Sequence, residues 1–474
     1  MLRIFSVVIL LTASAYALDN SDPVVERIIG MAVEQQGASV FLQELTDNVG
    51  GRMTGTAENS AAAQLILGTL RDAGFDNAHV EEFKLESVWH RGPIAAYVAG
   101  PVKRPLVVSS YGWVPGTQGP TEVSLVTALF TGDGKFTQPA EGFKGKAVLV
   151  EIQSTYSSGY VALRAQAAKQ LGKAGAATML IAASKPNRMT YTSAFGFYPG
   201  GALPVLSIAR EDALMLRRLL AKGPVILGLN VENSFGREPA TERNVVAELP
   251  GKGCNEVVVV GAHFDSWDLA QGADDNGSGV AAVLDAARIL KASGVRPYCT
   301  IRFVFFSGEE QADLGSRAYI RRHGSELNNT RVFLTMDRGS QAPLGLQVNG
   351  REDVAAGVKW FLPKLMPLGA ANISMDAALD SDDASFMTAG IPSLRLFVED
   401  GDYDIRHHSI SDTFDKINPH ILAVNTAVLA ITAYELAEAR QPVARRLTRD
   451  EVKDFLRTTK LEKAQEEQFG PLEE

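Results

Sequence analysis

The sequence predicts an α/β protein: a mixed, mainly parallel sheet flanked by helices, carrying a separate inserted unit. Two observations support this. Four hydrophobic runs, 257–260, 300–306, 332–336 and 393–398, alternate with segments whose apolar residues recur at helical spacing, the pattern of a doubly wound sheet. Each run also ends at, or shortly before, an acidic or imidazole side chain, at the strand end where open α/β sheets hold their ligands.

In chain order, the valines Val257 to Val260 lead to Gly261-Ala262-His263-Phe264-Asp265-Ser266-Trp267-Asp268, so His263 sits at a carboxyl end. The glycine-rich turn Gly272-Ala273-Asp274-Asp275-Asn276-Gly277 then presents Asp275 just before a helix, whose Val280, Val283, Leu284 and Ala287 repeat on one face. The run Thr300 to Phe306 stops at Ser307-Gly308-Glu309-Glu310, and Val332 to Met336 stops at Asp337. Ser393 to Val398 precedes a loop carrying His407-His408-Ser409. Four strands therefore aim acid and imidazole groups at one sheet edge, and that mixture of ligands suits zinc.

Charge accounting favours two ions over one. Asp275, Glu310 and Asp337, together with a hydroxide, offset two divalent cations, whereas one cation would leave the buried site negative. Adjacent side chains diverge, so Glu309 and Glu310 need different roles: Glu310 as ligand and Glu309 as general base. Asp265, two residues beyond His263, is positioned to accept the other imidazole proton.

These segments resemble the co-catalytic zinc exopeptidases, the family that includes bacterial leucyl aminopeptidases and glutamate carboxypeptidase II, and within it the carboxypeptidase Q group. The likeness rests on His263 to Asp268, Gln271 to Ala273, Glu309 to Gln311 and His407 to Ser409, and spans nearly the whole mature chain. It implies that Asp275 bridges two zinc ions, with His263 and Asp337 on one and Glu310 and His408 on the other. Glu309 would take a proton from the attacking water, and His407 stands where some relatives place a tyrosine to stabilise the oxyanion.

The implied activity is hydrolysis of dipeptides or short peptides by a secreted dizinc exopeptidase. A dizinc aminopeptidase is the alternative, and the motifs leave open whether the pocket takes a free amine or a free carboxylate. A single-zinc glutaminyl cyclase shares the fold but is disfavoured, because the second ligand set is complete. A binding protein that has lost its ligands is disfavoured on the same ground. Asp274 and Asn276, and the loop Asp380-Ser381-Asp382-Asp383-Ala384, depart from the carboxypeptidase Q pattern.

Several residues carry plainer readings. Asp268 and Asp274 read as loop carboxylates, and Trp267 as packing beside the site. His79, His90, His323 and His420 read as structural or surface groups.

The chain has 474 residues, 46% hydrophobic and 21% charged, enough for two domains. A net charge of -9 argues against nucleic-acid partners and gives no support for binding acidic membranes. Arg3, the apolar Ile4 to Leu11 and Ala15-Tyr16-Ala17 form a secretory signal pattern over residues 1–17, so the protein is expected to be extracellular or periplasmic. No other apolar run approaches membrane-spanning length, so no membrane anchor is expected, and a homodimer is compatible with the sequence. Cys254 and Cys299 each precede one of two strands expected to lie nearby, and an exported protein permits a disulfide between them.

The expected boundaries are a catalytic domain over 18–100 and 242–440, and a protease-associated-like insert over 101–231. The insert's short strands include Lys146 to Ile152, Ala177 to Ala182 and Pro204 to Ile208. A charged tail over 441–474 is expected to be a solvated helix or frayed end.

Overall fold

A computed structural model describes residues 22–153, 157–195, 203–237 and 239–472, and the expected signal segment lies outside them. Two eight-stranded sheets organise the described chain. In the first, Val257–His263 lies between Thr300–Phe306 and Thr330–Thr335, parallel to both, and Ser393–Val398 continues the parallel set. Antiparallel Ala240–Leu249 and His79–Leu85 extend one edge, and Pro343–Gln347 runs antiparallel to Ser393–Val398 at the other. The sheet is mixed with a parallel centre, as the sequence predicts.

The valine run shows why these residues form a central strand. Val258 and Val260 face a core shared with Val280, Val283 and Leu284 of the helix Ser278–Ala292, while Val259 faces the opposite side, with Tyr319, Phe333 and Phe386. Side chains alternate across a strand, so a run buried on both faces must be apolar throughout.

The helix Pro419–Glu438 completes the first core, packing against Ser278–Ala292. By length and composition it could cross a bilayer, contrary to the expectation that no such run exists. Its most apolar window is 78% buried inside the fold, which is the setting of a core helix.

The second sheet holds Ile94–Gly100, Thr121–Phe130, Ala147–Ile152, Thr178–Ala182, Val205–Ile208 and Ile226–Val231 among its strands, with the helices Ser157–Lys173 and Arg210–Leu220. It begins earlier than the expected boundary at residue 101. Ile94–Gly100 pairs with Ile226–Val231, and its Ala96 and Val98 share a core with Leu227 and Leu229. Residues 232–241, between the expected insert and the second part of the catalytic domain, contribute Ser234–Phe235, which pairs with Trp89–His90, so the two crossings between the sheets run side by side.

The tail differs from a solvated end. Thr448 and Glu451 form a reciprocal capping box that starts the helix Arg449–Thr458, and Val452 and Leu456, four apart on one face, are buried against Leu379, Ala384 and Met387. A second helix, Glu462–Phe469, follows. Cys254 and Cys299 form a disulfide with Cα atoms 5.0 Å apart, beside the paired strands Val257–His263 and Thr300–Phe306.

Candidate metal centre

His263 ends its strand, and the left-handed Gly272 turns the chain into the irregular segment Ala273–Gly277, where Asp275 and Asn276 leave helical geometry before the helix Ser278–Ala292 begins. Four groups that the motifs did not mark hold this turn. Arg52, fully buried, donates to the carbonyls of Phe264, Gln271 and Gly272, tying the strand end to the turn. Asp412 accepts from the backbone N–H of Asp274 at 2.6 Å and of Asp275 at 3.2 Å. Burial, with the charges of Asp274 and Asp275, pushes the Asp412 carboxyl up to about 8. Asp274 is held by Arg406 at 2.8 Å and by the Ser340 hydroxyl, a buried ion pair in place of the expected loop carboxylate.

The two oxygens of Asp275 face different partners. Oδ1 lies 3.5 Å from His263 Nε2, which is 3.0 Å from Asp337 Oδ1. Oδ2 lies 3.2 Å from His408 Nε2, which is 2.9 Å from Glu310 Oε2. The five residues expected as ligands therefore converge in two groups around one shared carboxylate.

Glu309 and His407 stand at the rim of these groups. Glu309 Oε2 is 3.8 Å from His263 Nε2, and His407 Nε2 is 3.8 Å from Asp275 Oδ2. Donor atoms of His263, Glu309 and Asp337 fall within 4.8 Å of one another, as do those of Asp275, His407 and His408. Proximity alone would thus admit Glu309 and His407 as ligands, but their distances are the longest in each group. Glu310, at 2.9 Å from His408, fits the inner set better.

The surrounding hydrogen bonds orient these groups. His263 Nδ1 lies 3.1 Å from the Asp265 carbonyl and 3.5 Å from its carboxylate, so the backbone oxygen takes the role expected of the side chain. The Asp265 carboxylate instead accepts from the backbone N–H groups of Glu309 and Glu310 and from the Thr54 hydroxyl, fixing the turn that carries both glutamates. Trp267 packs against Trp113 and also donates its indole N–H to Glu310. His408 Nδ1 lies 2.9 Å from the carbonyl of Thr192, on the second sheet's side, which leaves Nε2 for the site. His407 stacks between Tyr403 and His408.

Electrostatics set the groups apart. Burial raises Asp275, but hydrogen bonds to His263 and His408 outweigh it and hold the carboxyl well below its ordinary range. Burial pushes Glu310 up to about 7, and burial with the charges of Asp337, Asp313 and Glu310 holds Glu309 well above its ordinary range. Burial and neighbouring His408 push His407 well below that of a free imidazole.

The donor set fits zinc. Ligands placed tetrahedrally at about 2.0–2.1 Å from one ion lie roughly 3.3 Å from each other. The inner spacings, 2.9 to 3.5 Å, bracket that value. Glu310 Oε1 is moreover buried with no hydrogen-bond partner among the described residues, an acceptor that a cation would satisfy.

Of the remaining residues singled out by the sequence, Asp268 pairs with Arg91 at 2.8 Å, and His323 lies 3.0 Å from Glu81, away from this cluster. Asp380 lines the cavity above the site, while Asp383 is buried against Arg395.

The chain is similar to several known proteins. The family model described as peptidase family M28 matches residues 244–433. Carboxypeptidase Q of Rattus norvegicus is 31% identical over 437 residues, covering 90% of this chain and 91% of that protein. Leucine aminopeptidase 2 of Arthroderma otae is 26% identical, covering 82% of this chain and 80% of that protein. A peptidase M28 precursor from Shewanella amazonensis, a solved structure, is 27% identical with a TM-score of 0.79, covering 90% of this chain and 98% of that one. The chain belongs to peptidase family M28.

Proposed function

We propose that the chain is an exported dizinc exopeptidase that hydrolyses dipeptides or short peptides in the manner of a carboxypeptidase Q. The observation that supports two ions is the Asp275 carboxylate, whose oxygens face separate histidine and acid sets. His263 and Asp337 would hold one ion, Glu310 and His408 the other, and Asp275 both. Bound there, zinc supplies Lewis acidity to the scissile carbonyl and lowers the pKa of the attacking water.

The chain's own groups do the rest. Glu309, beside His263 and raised by burial, accepts the water proton and passes it to the leaving amine. His407, stacked on His408 and lining the same cavity, donates toward the oxygen on which negative charge develops. Arg52, Asp265 and Asp412 position the turns that carry these groups.

A cavity of about 470 Å³ opens over the centre, lined in part by the helix Ser157–Lys173 and residues 191–195, so the unit read as a protease-associated-like insert narrows access to the metals. The disulfide suits an oxidising compartment, in keeping with the expected export. The aminopeptidase reading draws on the likeness to leucine aminopeptidase 2. Glu309→Gln, with metal content retained, is expected to lower turnover on short peptides about 10²- to 10⁴-fold. Undiminished turnover would remove Glu309 as the base.

A further inference from the structure

We propose that Arg164 binds the C-terminal carboxylate of the peptide substrate. This deepens the exopeptidase reading and rests on it, for it assigns the end of the chain that the cavity recognises.

Arg164 lies on the helix Ser157–Lys173 and lines the same cavity as Glu309, Glu310 and Asp337. It is the cation of that lining among the described residues. Its surroundings hold it in place without neutralising it. The guanidinium carbon stands 4.7 Å over the Tyr111 ring and 4.7 Å over the Phe195 ring, and Nη2 donates to the Ala194 carbonyl at 3.0 Å. The residue is 3% exposed, Nε is buried with no hydrogen-bond partner, and no carboxylate pairs with it among the described residues.

A buried charge is costly unless an opposite charge meets it. Ring faces compensate only part of that cost. The cavity's acidic groups outside the metal centre are already engaged: Asp380 pairs with Arg395 at 2.9 Å and Glu467 with Lys463 at 3.6 Å. The unmet charge is therefore positive, and the group that meets it is an anion. A peptide's free carboxylate has the two-oxygen geometry that a guanidinium fork recognises.

Placement supports a terminal group. Tyr191 stacks on the His408 ring at 5.4 Å and meets Tyr111 at 6.2 Å, so Arg164 is reached from the metals through two aromatic rings. The helix Glu462–Phe469 touches Ser157–Lys173 and contributes Ala464, Glu467 and Gln468 to the same lining, walling the cavity on that side. A substrate residue adds about 3.5 Å of reach, so peptide length decides which carboxylate arrives at the guanidinium.

The test measures binding in zinc-loaded Glu309→Gln protein by calorimetry, with Ala-Leu, Ala-Ala-Leu and Ala-Ala-Ala-Leu as free acids and as C-terminal amides. The same titrations are run with Arg164→Met and with Arg164→Gln added. The readout is the acid-to-amide preference within one protein, so a general loosening of the fold cancels from it. The parent is expected to prefer the acid at one or more lengths, and both variants to lose about 10- to 100-fold of that preference. A parent without acid preference, or a preference kept by both variants, overturns the assignment and leaves Arg164 as a clamp on residues 191–195. Wild-type hydrolysis of the same peptides is followed separately: its absence defeats the exopeptidase reading, whereas the binding preference judges Arg164 alone.

Discussion

Asp412→Asn tests how much of the metal centre depends on a group outside it. The Asp412 carboxylate accepts the backbone N–H of Asp274 on Oδ1 and that of Asp275 on Oδ2, at 2.6 and 3.2 Å. Asparagine keeps one acceptor oxygen and turns an NH2 toward the second donor, so whichever way the amide sits, one buried N–H is orphaned. An unsatisfied buried donor costs about 1–3 kcal/mol, and here that cost falls on the peptide that aims Asp275 at both histidines. If the turn relaxes to escape the penalty, zinc affinity weakens roughly 10- to 100-fold, the range seen when groups behind metal ligands are removed. Competition with a chromophoric chelator reads this directly. Asp268→Asn serves as the comparison, because that carboxylate pairs with Arg91 and touches neither histidine. Equal zinc affinity in Asp412→Asn and wild type would refute the reasoning.

Three further outcomes are expected. Trp267→Phe removes the indole donor to Glu310 while keeping an aromatic ring against Trp113, so zinc binding should weaken by about tenfold, and unchanged affinity would make the residue packing alone. Replacing both Cys254 and Cys299 by serine opens a cross-link across 45 residues, for an expected loss of about 4 kcal/mol, read as a lower unfolding midpoint. Burial pushes Glu242 up to about 6 despite its hydrogen bonds from Gly55 and Arg243, so the folded chain holds that proton more tightly than the unfolded one. Its contribution is complete below about pH 4.5 and fades as pH climbs through 6, so wild type should lose about 2 kcal/mol relative to Glu242→Gln over that window.

The sheet's centre was legible because its strands are buried on both faces: Val257 to Val260 and Thr300 to Phe306 must be nearly all apolar, and the candidate ligands His263 and Glu310 follow at or just beyond their ends. His263, Glu310 and Asp337 could be singled out as candidate ligands for the same reason, since each follows at or soon after a strand end, whereas Asp275 and His408 lie on a turn and a loop beyond one. Arg52 and Asp412 were not, because each acts on backbone far away in sequence and leaves no local spacing to read. Ile94–Gly100 falls on the catalytic side of the expected boundary because its partner, Ile226–Val231, lies more than a hundred residues on, and pairing at that range has no local signature. The tail's high charge masks Val452 and Leu456, which lie at helical spacing on one face. His408 is oriented by the Thr192 carbonyl, a backbone atom that no motif names.

Asp275 serving two ions at once is central to the proposed mechanism. Stepwise addition of zinc to fully demetallated protein, with bound metal and peptide hydrolysis followed together, tests it most directly. Two bound equivalents per chain are expected, with full turnover only at the second. Saturation at one equivalent with full activity, or hydrolysis that persists with no metal bound, would contradict it.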